Sequence, residues 1–223
     1  MVGQAVQAPV KHTMLKLLQD NWKGAILDLR LGQLSAVRTT VALLLLLSAL
    51  GGCAPWVLVE GSYRMDSQNF DVNLPADWRR ATTVSDSLLL TRDGIGLQYI
   101  RIEQVAVGGE LKHTKKKVAK GMSPQEVAEV ELDEVRSDQG MRNVELVDNV
   151  PFQVAGLPGF KLVYTFRAEN GLRLKRVHYG VLLRGWVYRI QYQAPARHYF
   201  DKDLATFERV RESFRVTDTH KAL

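Results

Sequence analysis

Apolar and polar side chains alternate along much of the chain, and the runs predict β-strands. Phe70, Val72 and Leu74 face one way while Asp71 and Asn73 face the other, and Pro75 is expected to end that strand. Leu88-Leu89-Leu90 runs into Asp93-Gly94, a hairpin pair, and Leu97 to Ile102 forms the return strand. Phe160, Leu162, Tyr164 and Phe166 alternate with Lys161, Thr165 and Arg167 before Asn170-Gly171, the strongest hairpin signal present. After Arg176 the apolar phase shifts to Val177, Tyr179, Val181 and Leu183, which predicts a bulge. Arg184-Gly185 turns the chain again, and Trp186, Tyr188, Ile190 and Tyr192 share one face of the next strand.

Two helices are legible between and after these strands. Ser123-Pro124-Gln125-Glu126 combines a capping box with proline at the first helical position, and Gly140 is the expected stop after about Gln139. Ala128, Leu132 and Val135 form its apolar face, where Glu131 intrudes and is expected to reach out to water. Phe200, Leu204, Phe207, Val210 and Phe214 recur at three- and four-residue steps as the second helix. The expected class is α+β: a largely antiparallel sheet with helices packed on one face.

One stretch follows neither period. Val41 to Leu50 is an uncharged, leucine-rich run of ten residues, short of the roughly 20 that span a bilayer. Arg38 precedes it and Gly51, Gly52 and Cys53 follow, the layout of an export signal with small residues at its cleavage site. Leu50-Gly51-Gly52-Cys53 resembles a bacterial lipobox, in which the cysteine is acylated and the chain is cut before it. A buried core helix is the competing reading, but five consecutive leucines lack an amphipathic period. Cys53 is the chain's one cysteine, so it has no internal disulfide partner, and acylation would remove its free thiol. Residues 1–52 are longer than the 15–30 of a typical signal. Either they include a cytoplasmic extension, or translation starts near Val37, the reading the spacing favours. The expected organisation is therefore a signal over 1–52, cleaved between Gly52 and Cys53, a tether over 53–61, one domain over 62–217 and a tail over 218–223.

Charge narrows the partners. The chain has 30 Lys plus Arg against 24 Asp plus Glu, and residues 1–52 hold five of the bases and two of the acids. That leaves 25 against 22, a net of +3, for the exported part, too even for a nucleic-acid binder. The one dense run is Lys112, His113, Lys115, Lys116, Lys117 and Lys120, a candidate contact for anionic lipid heads or an acidic envelope partner. The plainer reading is a solvated loop, with Glu126, Glu129, Glu131, Asp133 and Glu134 of the next helix as counter-charge.

Searches for chemistry return little. There is no Gly-x-Ser-x-Gly elbow and no His-Glu-x-x-His, and His113, His178 and His198 are scattered and read as structural or surface residues. Asp201 and Asp203 read as complements to a helix dipole. Trp186, Tyr188 and Tyr192 read as a core face under a helix, with Tyr164 and Phe166 as cross-strand companions, rather than as a ligand cleft.

Phe70 to Pro75 followed by Trp78 resembles the opening strand of the PsbP-like fold family, which includes extrinsic photosystem proteins and small bacterial lipoproteins. Gly156-Leu157-Pro158-Gly159-Phe160, the Asn170-Gly171 hairpin, the Tyr188–Tyr192 strand and a final helix running into Ser213-Phe214 extend the likeness over most of 62–217. The resemblance implies the fold and no catalytic set. The expectation is a monomeric, lipid-anchored, non-enzymatic protein of the bacterial envelope, facing the periplasm, with a binding or structural role and no cofactor beyond lipid on Cys53. Ala54 rather than Asp after the cysteine suits the outer membrane, where sorting follows the enteric pattern. The alternative is a small-ligand carrier or enzyme with its site between sheet and helices, which a polar pocket containing His178 or Glu145 would favour.

Overall fold

The computed structural model describes residues 55–217, so the expectations on Gly52, Cys53 and the 218–223 tail lie outside it. Nine strands and two α-helices follow in the order β1 (Trp56–Met65), β2 (Phe70–Ala81), β3 (Leu88–Thr91), β4 (Tyr99–Ala106), α1 (Pro124–Ser137), β5 (Arg142–Val154), β6 (Leu157–Arg167), β7 (Arg173–Leu183), β8 (Trp186–Pro195), α2 (Tyr199–Ser213) and β9 (Arg215–Val216). They form one sheet in the order β1-β2-β3-β4-β8-β7-β6-β5, with β9 on β2. Every pairing is antiparallel. Two meanders thus meet along β4 and β8, and the chain through α1 crosses to the far edge.

The α+β class and antiparallel sheet match the expectation, but the helices take opposite faces. On β6 the even-numbered Phe160, Leu162, Tyr164 and Phe166 cluster with Val127, Ala128 and Leu132 of α1. Register carries that face to Leu174, Arg176 and His178 on β7, to Val187, Arg189 and Gln191 on β8, and to Tyr99, Arg101 and Glu103 on β4. The other face presents Val177, Tyr179, Tyr188 and Tyr192 to Phe200, Phe207 and Phe214 on and just after α2. Tyr192 lies 5.4 Å from both Phe200 and Phe207, centroid to centroid. The stripe on β8 is therefore core, as expected, but Tyr164 and Phe166 belong to the opposite layer.

Coverage of both faces explains a second difference. β7 pairs without interruption with β6 and β8, so there is no bulge at Arg176. The phase shift in its sequence marks a change in which face carries apolar side chains, while the face it leaves becomes polar.

The expected 53–61 tether is strand from Trp56 on, because Trp56–Met65 is an edge strand paired along β2. Its alternation is muted since an edge buries little: Leu58 is 69% exposed, and only Val59 and Tyr63 lean on the core besides buried Met65. Nor does Pro75 end β2. Gly61 pairs with Leu74 and Val59 with Trp78, so Pro75, Ala76 and Asp77 form a bulge that needs no ladder N–H from proline. Asp77 takes φ 64° there, and the strand resumes at Trp78, which is buried.

Candidate functional site

Between α1, the segment after β4 and the α1-side face of the sheet lies a cleft of about 420 Å³. Its floor is polar, unlike the Phe160–Phe166 surface beside it. Three strands supply that floor through the alternation of their side chains: Tyr99, Arg101 and Glu103 from β4, Arg189 and Gln191 from β8, Arg176 and His178 from β7. Glu131, Glu134 and Asp138 come from α1 and its C-cap, and Leu111, Lys112 and His113 close one side.

A charge ladder crosses the cleft. Arg189 donates from Nε and Nη2 to Glu131 Oε1 at 3.0 and 2.8 Å, and from Nη1 to Glu103 Oε1 at 3.4 Å. Arg101 Nη2 reaches Glu103 Oε2 at 2.8 Å. Glu131 is thus not in water but buried, at 3% exposure. Burial pushes its carboxyl above the ordinary range, against the pull of Arg189. Ser123 caps α1 in the predicted capping box, fixing the helix start and with it the turn that carries Glu131.

Glu134 organises the opposite wall. It accepts the backbone N–H of His113 at 2.8 Å and those of Thr114 N and Oγ1 at 2.9 Å. Burial raises this carboxyl, but those donors outweigh it and hold the group below its usual range. The same contacts tie the lysine-rich segment to α1.

Arg176 is 7% exposed, and its partners are all neutral. It donates to Gln193 Oε1 from Nε at 3.0 Å and also from Nη2, to Tyr99 OH at 2.9 Å and to Tyr164 OH at 3.2 Å. No carboxylate among the described residues pairs with it, although a buried guanidinium ordinarily has one. Two positions along the same face stands His178, fully buried, with neither ring nitrogen hydrogen-bonded among the described residues. Its ring meets Phe160 edge-on at 5.4 Å. Phe160 in turn lies over Gly180, where a Cβ would stand 2.1 Å from the Phe160 ring, so that glycine is a packing requirement. Burial, with Arg189 and Arg176 nearby, depresses the His178 pKa well below the ordinary imidazole value, so the ring is neutral at pH 7.

No protein-family model and no curated protein matches the chain. Among solved structures, the yeast Ran-binding protein Mog1p from Saccharomyces cerevisiae aligns at TM-score 0.50 and 10% identity, over 73% of this chain and 98% of that one. The cyanobacterial PsbP (CyanoP) of Synechocystis sp. PCC 6803 aligns at 0.47 and 15%, over 74% and 95%. LpqN of Mycobacterium tuberculosis, involved in cell envelope biogenesis, aligns at 0.43 and 15%, over 73% and 90%. The chain has the Mog1/PsbP-like fold. At such identities the likeness concerns fold alone, as the sequence resemblance implied.

Within this Mog1/PsbP-like domain the residues singled out from sequence scatter. Lys112 and His113 line the cleft, whereas Lys115, Lys116, Lys117 and Lys120 lie exposed on the loop beyond it. Lys116 pairs at 2.6 Å with Asp133, a counter-charge expected from α1, and Lys117 pairs at 3.5 Å with Glu110, which precedes the run. Glu145 is on the far edge, bound to Arg173 at 2.6 Å and away from the cleft. His178, read from sequence as structural or surface, is buried against Phe160 in keeping with the structural reading, and its ring nitrogens are unpartnered among the described residues. The signal was present: Arg176, His178 and Gly180 alternate with apolar Val177, Tyr179 and Val181. Asp201 lies in the first turn of α2, and Asp203, two residues on, is buried, accepting from Arg92 at 3.0 Å and Gln98 at 2.8 Å. Among the described residues no three His, Cys, Asp or Glu side chains could together hold a metal ion, and no helix is long and apolar enough to cross a membrane.

Proposed function

We propose that this is a lipid-anchored, non-enzymatic protein of the bacterial envelope that works by binding, with its site in the cleft between α1 and the sheet. The observation that carries the binding role is the cleft floor, where Arg176 is buried without a carboxylate partner and His178 without a hydrogen bond among the described residues. Such unmet polarity is costly inside a fold unless something outside the chain engages it. A binding role rather than catalysis is supported by the carboxylates, each of which is already engaged. Glu131 and Glu103 hold Arg189, and Glu134 holds the 113–114 backbone, so none stands free as a general base. The anchor rests on Leu50-Gly51-Gly52-Cys53, and Ala54 favours the outer membrane as its address. Lys115 and Lys120, with no ion pair among the described residues, would supply a secondary contact to acidic envelope material.

Site-specific photocrosslinking in intact cells tests the reading. A photoreactive residue at Lys112, on the cleft wall, should yield an adduct with a protein or a small molecule, read as added mass on the purified protein, that one at Leu58, on the β1 edge, does not. Identical products from both positions, or none from Lys112, would count against a binding site in the cleft.

A further inference from the structure

The cleft floor is more specific than a generic polar surface, and its one buried cation without a carboxylate partner says what it would hold. Four groups form a closed ladder, Arg101–Glu103–Arg189–Glu131, in which two positive and two negative charges cancel. Glu134 and Asp138 line the opposite wall, bound to the 113–114 backbone and to Gly140 N with His113 nearby, and neither is paired with Arg176. Arg176 is left over. Its guanidinium is buried among two tyrosine hydroxyls and one amide oxygen and lies over the Tyr164 and Phe166 rings, which ease its charge without supplying a counter-ion. A buried cation without a counter-ion is among the costlier features a fold can keep.

His178 lies two residues along β7 on the same face, roughly 6–7 Å away at the strand rise, with both nitrogens free of partners. Being neutral, it offers one N–H donor and adds no charge of its own. Gln191 stands directly across the β7–β8 ladder from it and lines the same cleft. A guanidinium, an imidazole N–H and an amide lining one cleft floor make a donor set suited to an oxyanion.

We propose that the floor of the cleft binds one oxyanion group, a carboxylate or a phosphate, of a small ligand, held between Arg176 and His178. The oxyanion neutralises Arg176 and accepts from the His178 ring, closing both deficits at once. The space, about 420 Å³, admits a ligand of metabolite size rather than a folded partner. This inference rests on the cleft being the binding site proposed above, and it specifies what that site recognises.

The test uses the lipid-anchored protein purified in detergent, residues 53–223, with His113, His178, His198 and His220 labelled at the ring Cε1 carbon. His178→Phe assigns the His178 signal; the variant keeps an aromatic ring against Phe160 and removes no hydrogen bond, so it should fold. Acetate, succinate, inorganic phosphate and methyl phosphate are titrated at ionic strength held constant with sodium chloride. One anion class should shift the His178 signal saturably, with half-saturation below about 1 mM, while chloride alone leaves it in place. By calorimetry, His178→Phe and Arg176→Gln should each weaken that anion at least about tenfold, or about 1.4 kcal/mol. The carboxylate and phosphate arms separate the two ligand classes. No saturable shift with any of the anions would mean that water alone fills the floor, and would overturn the proposal. So would undiminished affinity in His178→Phe, which decides the matter even if Arg176→Gln does not fold. Crosslinking from Lys112 without anion binding would sink this inference and leave the binding role standing.

Discussion

At the residue scale the α1 side of the sheet is decided by a few buried polar groups. Glu131→Ala would strip Arg189 of two of its three charged contacts, leaving Glu103 at 3.4 Å as its remaining partner. Breaking a buried pair from one side typically costs about 3–5 kcal/mol, and the surviving Glu103 contact places this variant near the lower end. Glu131→Gln keeps an acceptor and should cost less; denaturant melts of the two variants give the ordering directly. His178 makes a pH prediction. The groups facing it are Phe160, which is uncharged, and Arg176 and Arg189, which oppose its protonation. Its folded pKa is depressed, so below about 6.5 the unfolded chain takes up a proton that the folded one refuses. The stability it contributes is present above 6.5 and is lost as pH falls towards the depressed value, by up to about 1.4 kcal/mol per pH unit. Between pH 6.5 and 5.5 the wild type should therefore lose roughly 1 kcal/mol more than His178→Phe. Parallel pH profiles for the two would show that the folded ring can be protonated after all.

Among elements, α2 is joined to the β3–β4 hairpin through one carboxylate. Asp203 accepts from Arg92 and Gln98, while Lys202 reaches Asp93 at 2.6 Å. Asp203→Ala leaves the buried Gln98 amide without that acceptor and should cost about 1–3 kcal/mol, read as a lowered urea midpoint. The lysine loop is the opposite case. It is fixed by its backbone and by buried Leu111 and Val118, not by its charges. Changing Lys115, Lys116 and Lys117 together to Gln should alter stability by about 0.5 kcal/mol or less per site. If these lysines meet anionic lipid, the same variant should lose low-salt binding to anionic vesicles; equal binding would make the loop mere surface. The contrast also shows which elements were legible in the sequence. α1, α2, the 170–171 hairpin and β8 each bury one clear stripe, so periodicity finds them. β1 and β5 lie at the sheet edges and expose residues such as Leu58 and Val147, so their alternation is blurred and neither emerges from pattern alone. β7 is covered on both faces, and a change of apolar face there imitates a bulge. The site was hidden for a related reason: Glu131, Arg176 and His178 come together only through cross-strand register and helix placement, which no local spacing encodes.

For the whole molecule, the first strand alters what the proposed anchor would do. With β1 beginning at Trp56, only Ala54 and Pro55 separate the strand from Cys53. At most about 3.6 Å per residue, the chain from Cys53 to Trp56 spans roughly 10 Å or less. A lipid on Cys53 would therefore hold the sheet against the membrane surface rather than on a long leash. Two linked measurements follow. Mass spectrometry of the protein from its native membrane should find residues 1–52 absent and acyl chains on Cys53. Protease added to the exposed side should fail to release the folded domain, because cleavage requires an extended segment of several residues and the ladder with β2 starts at Trp56. Inserting about ten Gly-Ser residues after Ala54 should make release rapid without moving the melting temperature, since no contact within the sheet is changed. An unmodified Cys53 thiol would remove the anchor. An acylated protein that proteases release as readily without the insertion would instead show that β1 detaches from β2, and that the sheet effectively begins at Phe70.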